Sequence, residues 1–176
     1  QAPPGSSFLD LSGGRARYRV GGDLEAEPVL FIPGMSYPLE VFGPIFEALV
    51  GKGLRAVSFD LYGRGFSSYR GGPLAPADLA AQAIELLDRL EIRGPLRLVS
   101  LSNGDLISSA FAATYPERVR ALTLIAPSGV DRRTMNQRMR VGTRLPLIGT
   151  LFDGKLRRRY ADRMRSHRDL LPPEAP

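Results

Sequence analysis

Ser102 stands where an apolar run, Leu96-Arg97-Leu98-Val99-Ser100-Leu101, gives way to a helical pattern that begins at Asp105. A serine on a tight strand-to-helix turn can be held in a strained backbone conformation that lifts its hydroxyl clear of the sheet, provided that small residues lie two positions to either side. Here those neighbours are Ser100 and Gly104. The chemistry this permits is nucleophilic attack on a carbonyl carbon, as in acyl transfer. The plainer alternative is a serine that caps the following helix by accepting its first amide hydrogens. Attack by a hydroxyl calls for a general base, normally an imidazole, and His167 is the only histidine of the chain. Its neighbours in Arg165-Ser166-His167-Arg168 create a positive field that lowers its basicity, so a surface histidine is expected in preference to a general base. A second glycine-rich stretch, Gly63-Arg64-Gly65, lacks the lysine and the spacing of a phosphate-binding loop.

The elements that must position these residues follow from hydrophobic period. Phe8 to Leu11 and Ala16 to Val20, separated by Ser12-Gly13-Gly14, predict a hairpin of two short strands. Pro28 to Ile32 is a continuous apolar run suited to a strand buried on both faces, Arg55 to Phe59 reads as another buried strand, and Leu96 to Leu101 and Val119 to Ile125 read as two further strands. Between them lie helical patterns. Val41 to Val50 sets Val41, Phe42, Ile45, Phe46 and Leu49 on one face and stops at Gly51 and Gly53. Pro76 to Leu90 turns Leu79, Ala83, Leu86, Leu87 and Leu90 inward behind a proline near its start, and Asp105 to Tyr115 follows Ser102. Strands and helices alternating at these lengths imply an α/β fold with a mainly parallel, doubly wound sheet and right-handed crossovers.

Three further motifs stand at matching places in this order. Ile32-Pro33-Gly34-Met35 follows the third strand, and Asp60-Leu61-Tyr62-Gly63-Arg64-Gly65-Phe66-Ser67 follows the fourth. Tyr115-Pro116-Glu117-Arg118-Val119 separates the helix after Ser102 from the sixth strand. With the serine turn, these resemble the α/β-hydrolase fold family over about residues 7–130. The resemblance implies that Ser102 is a nucleophile and that the backbone amides of Met35 and Asn103 form an oxyanion hole. Gly34 would let the backbone approach closely, its alternative being a plain turn glycine. Asp60 would hold the glycine-rich turn by bonds to backbone rather than act in catalysis. A serine at the elbow argues against relatives of this fold that use a carboxylate there. The family usually takes its acid from after a seventh strand and its histidine from after an eighth, so the sheet is expected to lack the last strands. Asp131, just after the sixth strand, lies where some members carry their acid.

Residues 1–130 are thus expected to form the hydrolase core and 131–176 a helical, arginine-rich lid or cap. In that segment Leu145, Leu147, Ile148, Leu151 and Phe152 would either wall the substrate or pack on the body. The net charge of +6 comes from the tail, which holds 12 of the 24 Lys and Arg but five of the 18 Asp and Glu. With Phe152 and Tyr160 as its aromatics, the tail reads as a solvated arginine-rich face in preference to a nucleic-acid surface. No apolar run reaches the roughly 18 residues of a membrane span. The chain has no cysteine, which excludes disulfides and thiolate metal sites. The cytoplasm is the expected location, with export after removal of a leader as the alternative.

The expected function is that of a serine hydrolase, a carboxylesterase on small or medium acyl esters, without metal or organic cofactor. Its partners would be a small-molecule ester and, at the edge of the sixth strand, a second copy or a complementing C-terminal segment. Two alternatives stay open: a non-catalytic binding or assembly module on the same scaffold, and a basic nucleic-acid-binding protein.

Overall fold

A computed structural model of the chain describes residue 3 and residues 6–128. The expectations for Asp131, His167, the cap over 131–176 and the boundary at 130 lie outside the described residues.

Two short strands, β1 (Ser7–Leu11) and β2 (Gly14–Gly21), form the expected antiparallel hairpin. After them come β3 (Pro28–Ile32), helix α1 (Gly43–Val50), β4 (Arg55–Phe59), α2 (Pro76–Arg89), β5 (Leu96–Leu101), α3 (Gly104–Thr114) and β6 (Val119–Ile125). They build one six-stranded sheet in the order β1-β2-β4-β3-β5-β6. β2 runs antiparallel to β4, whereas β4, β3, β5 and β6 are mutually parallel. Each parallel step crosses over through a helix, as parallel strands require. Among the described residues, β6 pairs with β5 along one edge and with no strand along the other. On it Leu122 and Leu124 are exposed.

The period of two in the strands divides the core between the two faces of the sheet. Leu30 and Ile32 of β3, Val57 and Phe59 of β4, and Leu96 and Leu98 of β5 join Ala83, Leu86 and Leu87 of α2 and Ile107 and Phe111 of α3. On the opposite face Val29, Phe31 and Ala56 meet Phe42 and Phe46. The Phe31 ring lies 4.9 Å from that of Phe42 and 6.2 Å from that of Phe46, centroid to centroid, within the range of favourable aromatic pairs.

One helix differs from the expectation. Leu39–Phe42 is a separate 3-10 turn, and α1 starts only at Gly43 with Pro44 in its first turn. Proline has no N–H to give to the preceding turn, so it begins a helix and does not continue one. The break narrows the apolar stripe: Phe42 and Phe46 are buried, but Val41 and Ile45 are exposed, not inward-facing.

Candidate active site

β5 ends at Leu101 and α3 starts at Gly104, so Ser102 and Asn103 are the entire connection. Ser102 sits at φ 52°, in the left-handed region that a residue with a Cβ avoids. Such a conformation costs about 1–3 kcal/mol and persists only where the surroundings enforce it. Here they do. The Ser102 N–H donates to the Ile125 carbonyl at 2.9 Å, tying the turn to the end of β6, and the Asp105 N–H donates to the Ser102 carbonyl at 3.0 Å. Gly104 brings the first turn of α3 against β3: a Cβ there would stand 2.6 Å from the Ile32 carbonyl oxygen and 2.9 Å from that of Pro33. Any larger residue would push the helix off the sheet.

Ser100 is the other small neighbour, and it is fully buried. A buried hydroxyl needs a partner, and α3 provides one: the Ser100 and Ser108 Oγ atoms lie 3.0 Å apart, and Ser108 Oγ donates to the Asp105 carbonyl at 3.1 Å. Ser102 itself is half-buried.

The loop after β3 lies against this turn. A Cβ on Gly34 would be 3.1 Å from the Leu101 carbonyl oxygen and 3.3 Å from the Ser102 Cβ, so this backbone approaches as closely as a glycine allows. The Tyr37 N–H donates to the Gly34 carbonyl at 3.1 Å, which closes a β-turn with Met35 and Ser36 at its centre. Because the peptide bond is trans, engaging the Gly34 carbonyl inside that turn points the Met35 N–H out of it. Among the described residues, neither the Met35 amide nor the Asn103 amide donates to an acceptor. The Asn103 N–H, on the residue after the strained serine, and the Met35 N–H, on the residue after the Gly34 backbone that approaches it, are donors of the kind that can receive an oxyanion.

Asp60, fully buried at the end of β4, organises the glycine-rich turn. Its Oδ1 accepts from the Leu39 N–H at 2.8 Å, and its Oδ2 accepts from the Phe66 N–H at 2.9 Å and from Arg17 Nη1 at 3.3 Å. Its main-chain carbonyl accepts from Ser67 Oγ at 2.8 Å and Gln82 Nε2 at 3.0 Å. Gly65, at φ 52°, has no room for a Cβ, which would fall 2.1 Å from Asp60 Oδ2. With its lone pairs so engaged, Asp60 holds structure.

Several supporting residues escaped the sequence reading. Arg17, only 2% exposed, also donates to Glu40 and, at 2.8 Å, to Ser6 Oγ, and lies over the Phe66 ring. Gln82 joins the apolar face of α2 because its amide bonds both the Asp60 carbonyl and, at 3.0 Å, the Tyr62 N–H. Ser128 donates to the Asn103 side chain and, at 3.1 Å, to Asp105 Oδ1. Arg64 reaches from the glycine-rich turn to the Met35 carbonyl at 2.8 Å. The signal available for Arg17 and Gln82 was a long polar side chain among apolar neighbours, but their partners are 11 to 50 residues away in sequence.

Of the residues singled out from the sequence, the structure therefore brings Ser102, Asn103, Gly34 and Met35 together. Asp131 and His167 are outside the described residues. Among those described, no group of three or more His, Cys, Asp or Glu could hold a metal, and no helix is long and apolar enough to cross a membrane.

The family model described as the alpha/beta hydrolase fold matches residues 27–166. The chain is 32% identical over 130 residues to an (E)-2-((N-methylformamido)methylene)succinate hydrolase of Acinetobacter baylyi, covering 73% of this chain and 47% of that protein. It is 34% identical over 99 residues to a poly(3-hydroxyalkanoate) depolymerase of Ectopseudomonas oleovorans, covering 56% of this chain and 34% of that one. Among solved structures, a hydrolase from Pseudomonas aeruginosa PA01 superposes with a TM-score of 0.68 at 28% identity, covering 80% of this chain and 52% of that chain. The chain thus spans about half or less of the length of each of these relatives.

Proposed function

This chain belongs to the α/β-hydrolase fold family, and on that premise we propose that it carries the nucleophile and the oxyanion hole of a serine hydrolase acting on small or medium acyl esters. The observation that carries the reading is Ser102 at φ 52°, with the Gly34 backbone packed against it and the amides of Met35 and Asn103 without an acceptor among the described residues. Strain of this kind is retained where a side chain must be presented. One relative is named a hydrolase and the other a depolymerase, which supports bond cleavage as the common chemistry.

In this mechanism Ser102 Oγ attacks the ester carbonyl carbon as an imidazole accepts its proton. The carbonyl oxygen becomes an oxyanion and accepts hydrogen bonds from the Met35 and Asn103 amides. Collapse of the tetrahedral intermediate expels the alkoxide, which takes the proton back from the imidazolium, and leaves an acyl-serine. Water, deprotonated by the same imidazole, then releases the acid. Gly34 allows the oxyanion loop to lie close to Ser102. His167, the sole imidazole of this sequence, and Asp131 are the candidates within this sequence for that base and its acid, and the base is tested below.

The test is release of nitrophenolate from acetyl, butyryl and octanoyl 4-nitrophenyl esters by the wild-type chain, Ser102→Ala and His167→Ala. The reading predicts a burst equal to the enzyme concentration, absent from Ser102→Ala. Release unaffected by loss of the serine hydroxyl would refute it. A burst that survives in His167→Ala would remove His167 as the base while leaving Ser102 in place.

A further inference from the structure

The Met35 amide can hold an oxyanion only if its loop keeps one conformation, and the loop contains two features that favour more than one. Gly34 has a wide range of backbone angles, and Met35 and Ser36 are exposed at the corner of the β-turn. Something must fix it. The Arg64 Nε donates to the Met35 carbonyl at 2.8 Å, and this carbonyl lies at the corner of the turn. Nη1 of the same guanidinium donates to the Gly63 carbonyl at 3.1 Å, so the planar group is braced against its own turn.

The backbone that carries Arg64 is fixed on both sides. Its N–H donates to the Leu61 carbonyl and its carbonyl accepts from the Ser67 N–H, each at 2.9 Å. The turn is in turn anchored by Asp60, which takes the Phe66 N–H with one carboxylate oxygen and the Leu39 N–H, at the far end of the oxyanion loop, with the other. The Met35 loop is therefore held from the same turn at two points, and Arg64 supplies the one nearer Ser102. Both acceptors of Arg64 are neutral carbonyls, and among the described residues no carboxylate forms an ion pair with it. Its fixed donor geometry matters here, more than a charge pair would.

We propose that Arg64 is a positioning residue: by holding the Met35 carbonyl it pins the corner of this loop to the glycine-rich turn, and so keeps residue 35, and with it the Met35 amide, in place for the oxygen of the substrate bound to Ser102. Arg64 does not touch the reacting atoms. This rests on the serine-hydrolase reading above, because it assigns a purpose to the Met35 amide.

The experiment compares the wild-type chain with Arg64→Ala, Arg64→Lys and Arg70→Ala, the last removing an equal charge from an exposed arginine nearby. Two quantities are read in each: the second-order rate of Ser102 modification by a fluorophosphonate, and the amide resonances of Met35 and Ser36 in 15N-labelled protein. Loss of orientation at a reacting centre readily costs about tenfold to a hundredfold. The proposal predicts a rate lowered about tenfold or more in Arg64→Ala, partly restored by added guanidinium ion, with Arg64→Lys intermediate and Arg70→Ala unchanged. It further predicts that the Met35 and Ser36 resonances are single and sharp in the wild type and doubled or exchange-broadened in Arg64→Ala, with melting temperature retained. A wild-type labelling rate in Arg64→Ala, or unchanged Met35 and Ser36 resonances, overturns it. If the wild-type chain takes no label at Ser102, the hydrolase reading fails, while the two resonances still decide whether Arg64 pins the loop.

Discussion

At the scale of single residues, the site depends on contacts so close that no substitution is neutral. Gly104 is the clearest case, since an added methyl would collide with two main-chain carbonyls and not with a side chain that could move aside. Gly104→Ala should destabilise the protein by about 1–3 kcal/mol, measured by urea denaturation, and slow Ser102 modification as α3 is displaced. Asp60 makes a sharper prediction. Asp60→Ala strips the buried Arg17 of a partner and leaves the Leu39 and Phe66 amides unsatisfied, for an expected loss of about 3–5 kcal/mol. Asp60→Asn should lose less, because one side-chain oxygen can still accept. The serine turn itself was legible in sequence, since Ser100, Ser102 and Gly104 are local to one another. Arg17, Gln82 and Arg64 were not, because their roles exist only once distant segments are folded together.

At the scale of elements, the strand runs at 28–32, 55–59, 96–101 and 119–125 could be read with their observed limits, because each is a short, mainly apolar run between turn residues. The helix at 41–50 was less legible: its period was right, but Pro44 resets the register, and burial of Val41 and Ile45 could not be decided without knowing where Phe31 lies. The motif Tyr115-Pro116-Glu117-Arg118 also gains a physical reading. Arg118 donates to Asp88 at 3.0 Å and to the Ile92 carbonyl, fastening the start of β6 to the end of α2, while the Tyr115 ring packs edge-on against Phe111 at 5.2 Å. The glycine-rich turn and the β1–β2 hairpin meet at Tyr62, whose hydroxyl accepts from the Gly13 N–H at 3.2 Å. Burial first, and the charge of Glu85, raise the Tyr62 pKa above its ordinary value of 10.0, although the Gly13 bond opposes this. The folded state thus keeps the phenol protonated where the unfolded chain ionises. That contribution to stability is complete below pH 10 and is lost as pH rises from there through the folded pKa. Wild type should therefore lose more stability than Tyr62→Phe between pH 9 and 11.5, in parallel denaturation series; equal losses would contradict the assignment.

At the scale of the whole molecule, the described sheet has a core on each face, and Phe31 anchors the face covered by α1. Phe31→Ala should cost about 3–5 kcal/mol in a denaturant titration, because the site is wholly buried among rings that cannot collapse onto the space. The same sheet brings the ends of β3, β4, β5 and β6 to one side, and there the Met35 loop, the Asp60 turn, Ser102 and Ser128 converge. Loops beyond the carboxyl ends of parallel strands are where α/β sheets place their chemistry. The alternation of strands and helices made this architecture readable, whereas substrate choice is set by side chains from separate segments. The central claim is that the Ser102 hydroxyl is an activated nucleophile, and it is tested most directly by treating the folded chain with a fluorophosphonate and mapping the adduct by peptide mass spectrometry. The account predicts one adduct per chain, on Ser102, lost on prior unfolding; a folded protein that takes no label, or takes it on other serines equally, would contradict it.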